Sequence, residues 1–577
     1  MVFFHHRGWH YLLLLLLSGI VFFLNLGGAT LWDLDEGRNA TAALEMLRSG
    51  DWIKPTFNAE LRDHKPALLY WLQALAYLCF GVNEFAARFP SAMAVLFTVL
   101  LTYELARSMF GRTTGLLAGL VVATTPMLCG AGRFANPDAL LNAFTVLTMT
   151  IFWLGVGQRR WWWFLSLGAA SGFAMLAKGP VGFVLPGAVI TLFILWERQW
   201  RFALNWRWTL TAISFTLIGV PWFILVGMET HGEFLRGFFL RHNLERGMST
   251  MENHGGFPGY YLVVLCVGTA PWSIFLGLAW WAGFWSAIRQ PWNRCQSLWA
   301  RTAEMERQPA VLTDAPAAYR LLACWIFVYL VFFNLAATKL PNYVLPVVVP
   351  TVILIARLLQ RWRTQLATLP GWFTVSSVTM LLLIGVLFAV GLTVVGGGWE
   401  LSVMRGRYIH GLEQWAVIGL IPMLAALLGW RFLAARQFGR FIAVVAITAL
   451  LLVGPLGAYA AAILNRCKAP QPLVEQVQVW DDTQDLRIGC WNLEHLPSLN
   501  FYLQRNVEHL KGEADIAGFL QYRLPVFLFL PLEDWQRVEK SLSGLGHVVG
   551  RHHDMYHHTE VVVVTNGLGV CLAPRER

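Results

Sequence analysis

Acids and bases alternate in a few short stretches of this chain, each beside a long apolar run. The first is Leu31-Trp32-Asp33-Leu34-Asp35-Glu36-Gly37-Arg38, with three carboxylates in four positions. Asp33 and Asp35 form a D-x-D spacing, which is common in solvated loops. Arg62-Asp63-His64-Lys65-Pro66 follows. Asp138 ends Arg133-Phe134-Ala135-Asn136-Pro137-Asp138, a turn that also suits a helix cap. Lys178 precedes Gly179-Pro180, and Lys339 opens Lys339-Leu340-Pro341-Asn342-Tyr343-Val344-Leu345-Pro346. A lysine between apolar runs is costly unless its ammonium reaches the interface or holds an anion. A carboxylate in such company can serve as a general base or as partner to a cationic substrate. Between residues 228 and 258 lie His242, Arg246 and His254, and His242 and Arg246 are spaced to share a helix face. His64, His242 and His254 could meet around a metal, without tight ligand spacing. In the tail, His552-His553 and His557-His558 fit a surface loop better than a metal site.

Groups so far apart in sequence need elements that bring them to one face. The 577 residues are 56% hydrophobic and 14% charged, against roughly 45–50% and about 25% for soluble domains. Helices of about 20 apolar residues span a bilayer. Such runs fall at about 10–27, 90–106, 114–130, 140–156, 161–177, 180–196, 208–227, 259–287, 320–337, 341–357, 371–395, 414–432 and 440–462, which predicts about 13 spans. Residues 66–81 are apolar but short and begin on proline, so they are expected to lie along the interface. With residue 1 inside, every inside loop carries at least two arginines, as the positive-inside rule asks. An odd span count then exports the tail. Basic residues on the outer side (Arg38, Arg48, Lys54, Arg62, Lys65, Arg88, Arg133, Lys178, Arg236, Arg241, Arg246, Lys339) run against that bias, and an anionic ligand would account for them together.

Residues 465–577 hold 11 basic and 14 acidic residues, a soluble density. The expected organisation is therefore a membrane part, 1–464, and an exported α/β part, 465–577. Strands are expected at 486–491, 525–530 and 559–565, and helices at 497–504 and 531–542. A basic membrane half with an acidic tail argues against nucleic acid and for anionic lipid or phosphate. The eight cysteines show no CxxC spacing and no zinc-finger pattern.

Taken in order, Asp35-Glu36-x-Arg38, the Gly50-Asp51-Trp52 turn, Lys65-Pro66, Arg133…Pro137-Asp138 and Lys339-Leu340-Pro341-x-Tyr343-x-Leu345-Pro346 resemble the lipid A aminoarabinose transferases. They also resemble the wider protein-O-mannosyltransferase superfamily of GT-C glycosyltransferases. The likeness runs over nearly the whole chain, and Lys-Leu-Pro-x-Tyr is its most specific part. It implies a GT-C-type α-helical polytopic membrane protein of the bacterial inner membrane. The implied activity is an inverting glycosyltransferase with its site facing the periplasm. The implied donor is a sugar, 4-amino-4-deoxy-L-arabinose or a related pentose or hexose, on undecaprenyl phosphate. The implied acceptor is lipid A or another lipid or glycan, and the chain is expected to act as a monomer. On this likeness Asp35 and Asp138 are the catalytic candidates. Arg38, Lys65, Lys339 and Arg246 would bind the donor phosphate. Glu36, Lys178, His242, His254 and Tyr343 would contact substrate. No cofactor is required, although a divalent metal could sit among His64, His242 and His254. Relatives commonly carry Glu before the Lys-Pro, where this chain has His64. A protein O-mannosyltransferase-like enzyme and a lipid-linked-sugar transporter or flippase are the alternatives. Transporters often carry internal repeats, and none is evident.

Overall fold

A computed structural model describes residues 7–33, 35–155, 160–245, 256–289, 316–399, 401, 408–477, 485–493, 496–542 and 544–570. Among them, eight helices are long and apolar enough to cross a membrane. A ninth span forms if Arg112–Ala123 and Pro126–Gly132, which meet at 64°, count as one. The other four expected spans are helical but shorter, less apolar or broken: Arg7–Phe23, Trp161–Lys178, Val181–Trp196, and the run Tyr260–Gly268, Trp272–Phe275 and Leu276–Arg289. Length and composition thus give eight or nine spans where about 13 were expected. Prolines account for two of the breaks. Pro126 opens a new helix after Thr125, and Pro271 interrupts the 260–289 run, because proline lacks the N–H that a continuing helix needs.

The segments that carry the candidate residues follow α1 (Arg7–Ser18), which widens to a π-helix over Gly19–Phe23. Next come α2 (Asp35–Ser49), the hairpin β1 (Thr56–Phe57) and β2 (Glu60–Leu61), and α3 (Leu68–Phe80). At 13 residues, α3 is about 20 Å long, too short for a bilayer of about 30 Å. Its length fits the interfacial position expected of it. Gly81, at φ 76°, ends it, and the Asn83 side chain caps α4 (Glu84–Phe110) by accepting from Ala86 N. After α5 (Arg112–Ala123) and α6 (Pro126–Gly132), α7 (Pro137–Gly155) starts on proline, and α8 (Trp161–Lys178) ends on Lys178.

The tail forms a five-stranded mixed sheet in the order β4-β3-β5-β7-β6. Its strands are β3 (Arg487–Cys490), β4 (Glu508–His509), β5 (Val526–Pro531), β6 (His547–Asp554) and β7 (Thr559–Thr565). β3 runs parallel to β4 and β5, while β5, β7 and β6 are antiparallel. The valine run of β7 is buried on both faces: Val561 and Val563 pack in one apolar cluster, Val562 and Val564 in another. A strand covered on both sides has no reason to alternate. His552 and His553 lie on the edge strand β6 and not in a loop, and the His557 ring bonds Asp554 Oδ2 at 2.8 Å. Among the described residues these histidines form no metal-ligating group.

The tail docks on α2 and the turn before it through a buried polar seam. Helix Ser498–Leu503 packs so closely on α2 that a Cβ on Gly37 would lie 2.6 Å from Ser498 N. Asp33 Oδ1 accepts from that N–H at 2.8 Å, and Asp33 N donates to Tyr556 Oη at 3.2 Å. Lys468 Nζ donates to Thr30 O at 3.1 Å and stands 3.8 Å over the Trp32 ring. Burial pushes the Asp33 carboxyl up to about 7, with Ser498 and Lys468 pulling against it and Asp554 adding to it. A carboxyl whose folded pKa is raised binds its proton more tightly in the docked state. Its stabilising contribution is full below its ordinary value of 3.8 and is lost as pH rises through about 7. Tail docking, followed by limited proteolysis between pH 4 and pH 8, should weaken across that window. Asp33→Asn should remove the slope.

Candidate functional site

The Asp35-Glu36-Gly37-Arg38 segment is the first turn of α2 and not a solvated loop. Carboxylates favour that position because they face the positive end of the helix dipole. The two acids then part company. Asp35 is exposed, whereas Glu36 is 1% exposed and receives Arg88 through two bonds of 2.8 Å. Glu36 Oε1 also accepts from Ala135 N at 2.7 Å, and Oε2 from Trp32 N at 2.8 Å. Arg88, in α4, spends its remaining donors on Leu26 O, Ala29 O and Thr30 O. Glu36, expected to bind substrate, is instead the buried anchor that ties α2, α4 and the turn before α7 together. Asn39 Nδ2, donating to Ala135 O at 3.0 Å, adds a second tie. The N-termini of α2 and α7, with Asp35 and Asp138 in their first turns, are held together by these bonds.

Other outer basic residues have structural partners too. Arg133 donates to the carbonyls of Val21, Phe22, Leu24 and Asn25, closing the C-terminal end of the first helix. Arg62 is buried, giving Nε to Tyr70 Oη and Nη2 to Asn39 Oδ1. The excess of outer arginine is therefore partly structural.

Arg38 and Lys65 both lie close enough to His64 for their charges to act on it. Partial burial first, then the charges of Arg62, His242, Lys65 and Arg38, push the His64 imidazole below its ordinary value. Asp63 Oδ1 is 3.1 Å from both His64 Nδ1 and His242 Nε2, and the two rings are 3.9 Å apart. His242 sits on a π-helix, Arg236–Glu245. Gly237 of that helix touches Asp63 so closely that a Cβ there would lie 1.6 Å from Oδ2. Asp63, His64 and His242 offer ligand atoms within 4.8 Å of one another. One carboxylate and two imidazoles, which bind metal in their neutral form, suit a divalent cation such as zinc. The histidine expected as third member, His254, lies outside the described residues, as does Arg246.

The second cluster centres on Asp138. Its backbone N–H is capped by Asn136 Oδ1 at 2.9 Å, so Asn136 and not Asp138 is the cap. This frees the Asp138 carboxylate, buried at 5% exposure, to pair with Lys178 through Oδ1 and to accept from Asn342 Nδ2 through Oδ2 at 2.6 Å. The Lys178 ammonium stands 4.9 Å over the Tyr343 ring. Lys178 therefore does not simply extend into the interface. Lys339 Nζ donates to Gly256 O at 3.1 Å, away from this carboxylate. The two clusters share the π-helix: Gly237 abuts Asp63, and Phe238 abuts Gly179, next to Lys178.

Sequence spacing pointed to Arg38, Lys65, Asp138, Lys178, His242 and Tyr343. It missed Asp63, Asn342 and the anchoring role of Glu36. A polar residue at the turn between Lys339 and Tyr343 was the available signal for Asn342. A cavity of about 870 Å³ opens between α2, the β1–β2 hairpin and the tail, beside Arg48, Arg487 and Arg505. None of the candidate residues lines it, so it stands apart from the chemistry described above.

A family profile described as dolichyl-phosphate-mannose-protein mannosyltransferase matches residues 64–224. The undecaprenyl phosphate-alpha-4-amino-4-deoxy-L-arabinose arabinosyl transferase of Pseudomonas aeruginosa (strain UCBPP-PA14) is 32% identical over 358 residues. That match takes in 61% of this chain and 60% of the relative, so the chain spans about three fifths of that protein's length. A similarly named transferase of Pseudomonas fluorescens (strain Pf0-1) is 28% identical over 82% of this chain and 83% of its own. The crystal structure of ArnT from Cupriavidus metallidurans bound to undecaprenyl phosphate matches with a TM-score of 0.79 at 23% identity, covering 99% of each chain. The GT-C-type helical membrane fold is shared. The resemblance to aminoarabinose transferases and the wider GT-C superfamily drawn from the motifs is borne out.

Proposed function

We infer that this ArnT-like chain is a membrane glycosyltransferase. It would move a sugar from a polyprenyl-phosphate donor to an acceptor at the outer face of the bacterial inner membrane. The observation that carries this reading is the convergence of Arg38, Lys65 and the Asp63–His64–His242 group around one site, next to the Asp138–Lys178 pair. The sugar is 4-amino-4-deoxy-L-arabinose on undecaprenyl phosphate, and the acceptor is lipid A. The sugar and its carrier rest on the named relatives, and lipid A as acceptor rests on the motif resemblance alone. In this reading residues 1–464 form the transferase proper, and 465–577 form a periplasmic unit over its outer side.

The step breaks the bond between the anomeric carbon and the phosphate oxygen. The electron pair leaves with the phosphate, and the acceptor oxygen bonds the opposite face of the carbon, inverting it. Negative charge grows on the departing phosphate, and fixed cations aimed at it lower the barrier. Arg38 and Lys65 supply them, with Lys339 and Arg246 as the further candidates. Asp35, exposed on the first turn of α2, takes the acceptor proton if the acceptor is a hydroxyl. If the acceptor is a phosphate, its oxygen is already anionic, and Asp35 then orients the amino sugar. Asp63, His64 and His242 would hold a divalent cation when one is bound. That cation would add positive charge and rigidity at the wall of the site.

Lys65→Ala should weaken donor binding roughly tenfold, since a charge-assisted contact is worth about 1.5–3 kcal/mol. Titrating undecaprenyl phosphate against parent and variant checks it, and equal affinities would move the phosphate site toward residues 236–246. The function itself is tested with membrane vesicles and donor labelled in the sugar. Label on lipid A supports the reading. Label on protein favours a protein O-mannosyltransferase-like enzyme, and movement of intact donor without transfer favours a transporter. A chelator arm tests the cation: transfer within about twofold of the untreated level is expected if Arg38 and Lys65 carry the charge stabilisation.

A further inference from the structure

We propose that Asn342 is a positioning residue that sets the geometry and charge of the Asp138–Lys178 pair, an assignment that rests on the transferase reading. Three observations carry it. Asn342 and Tyr343 are consecutive on one 3₁₀ turn, Pro341–Val344, and each holds one half of the same ion pair. The Asn342 amide donates to Asp138 Oδ2 at 2.6 Å, and the Tyr343 ring faces the Lys178 ammonium at 4.9 Å. The turn itself is fixed: Pro341 sets its first position, Tyr343 N donates to Leu340 O at 3.2 Å, and the Tyr343 ring packs 5.2 Å from Phe333. Within the Lys339-to-Pro346 motif, the polar group that reaches Asp138 is thus Asn342, while Lys339 points to Gly256 O.

The residue type matters. An amide donates to a carboxylate without bringing charge, so it orients the Asp138 carboxyl and leaves Lys178 as the charged partner beside it. A carboxylate in that place would put two acids within bonding distance. Their repulsion would make one of them hold a proton more tightly than a lone carboxylate beside Lys178 does. A methyl group would leave Oδ2 without its donor and let the Asp138 carboxylate rotate. Among the described residues the titratable groups of this cluster are Asp138, Lys178 and Tyr343, with Tyr261 beside Tyr343.

The test uses the full-length protein in proteoliposomes with undecaprenyl phosphate-linked aminoarabinose and lipid A. Asn342→Ala should lower kcat about tenfold or more while the donor KM stays within about twofold, as misplacement of a catalytic pair does. The nearly isosteric Asn342→Asp should shift the acid limb of the pH–rate profile upward by about one unit or more. A purely structural residue would lower the amount of folded enzyme and leave the profile in place. An unchanged profile in Asn342→Asp, or parental kcat in Asn342→Ala, overturns the proposal. If Asn342→Ala does not fold, the Asn342→Asp profile alone decides. If the parent transfers no sugar, the transferase reading fails separately, and the pairing is read from melting temperature. The deficit of Asn342→Asp against parent should then shrink as pH falls from 7 to 5, because the shared proton stabilises the folded state at lower pH. A pH-independent deficit overturns the pairing.

Discussion

Asp35→Asn should lower turnover by roughly 10²-fold or more where the acceptor is a hydroxyl, the size expected for loss of a general base. The substitution removes charge and basicity but almost no volume, and Asp35 is exposed on the first turn of α2. The fold should therefore survive, with a melting temperature close to the parent's. Donor affinity should stay within about twofold, because the phosphate contacts are assigned to other residues. Steady-state kinetics with donor and acceptor varied in turn would separate these effects. A loss confined to KM would make Asp35 a binding group, and parental kinetics would remove it from the site.

Breaking the Glu36–Arg88 pair should have the opposite signature, a loss of structure and not of chemistry. Both side chains are almost completely buried, at 1% and 2% exposure. Removing one partner leaves the other charge buried without its counterion, which costs about 3–5 kcal/mol. Glu36→Gln or Arg88→Met should therefore lower thermal stability and folded yield sharply. Replacing both by methionine should recover part of the loss, because no unpaired charge remains. Recovery will be incomplete, since Arg88 also caps three carbonyls of residues 26–30 and Glu36 accepts from two backbone N–H groups. A melting temperature within a degree of the parent's in both single variants would contradict this role.

These two neighbours, Asp35 and Glu36, show what the sequence could and could not convey. Their composition and spacing marked the segment as chemical, and the resemblance to known motifs assigned both acids to the site. Which of two adjacent carboxylates faces solvent depends on the rotation of α2 and on an arginine 52 positions further along. Neither is a local property. The same holds for Asp138. An Asn-Pro-Asp turn reads as a cap, and it is one, but the capping oxygen belongs to Asn136. The carboxylate left over pairs with Lys178, which is 40 residues away. Arg133 and Arg62 looked like candidates for an anion because they stand on the lysine-poor side. Their partners are carbonyls, a tyrosine and an asparagine that only the packed helices bring within reach.

The apolar runs were legible because a bilayer imposes length and composition on each segment separately. Their count was less so. Proline and short length break the continuity that a hydropathy pattern assumes, as at Thr125-Pro126 and Ala270-Pro271. In the tail, β3, β5 and β7 were readable from buried apolar residues. The edge strand β6, His547–Asp554, is polar and kinked near Gly550, so it carries no alternation to find.

The most direct test of the account is product stoichiometry in proteoliposomes holding the purified full-length protein, undecaprenyl phosphate-linked aminoarabinose and lipid A. Mass spectrometry would follow both products with time. The account requires one free undecaprenyl phosphate for each aminoarabinose added to lipid A, with both falling together in Lys65→Ala and Asp35→Asn. Intact donor crossing the membrane with no free undecaprenyl phosphate and no modified lipid A would contradict it.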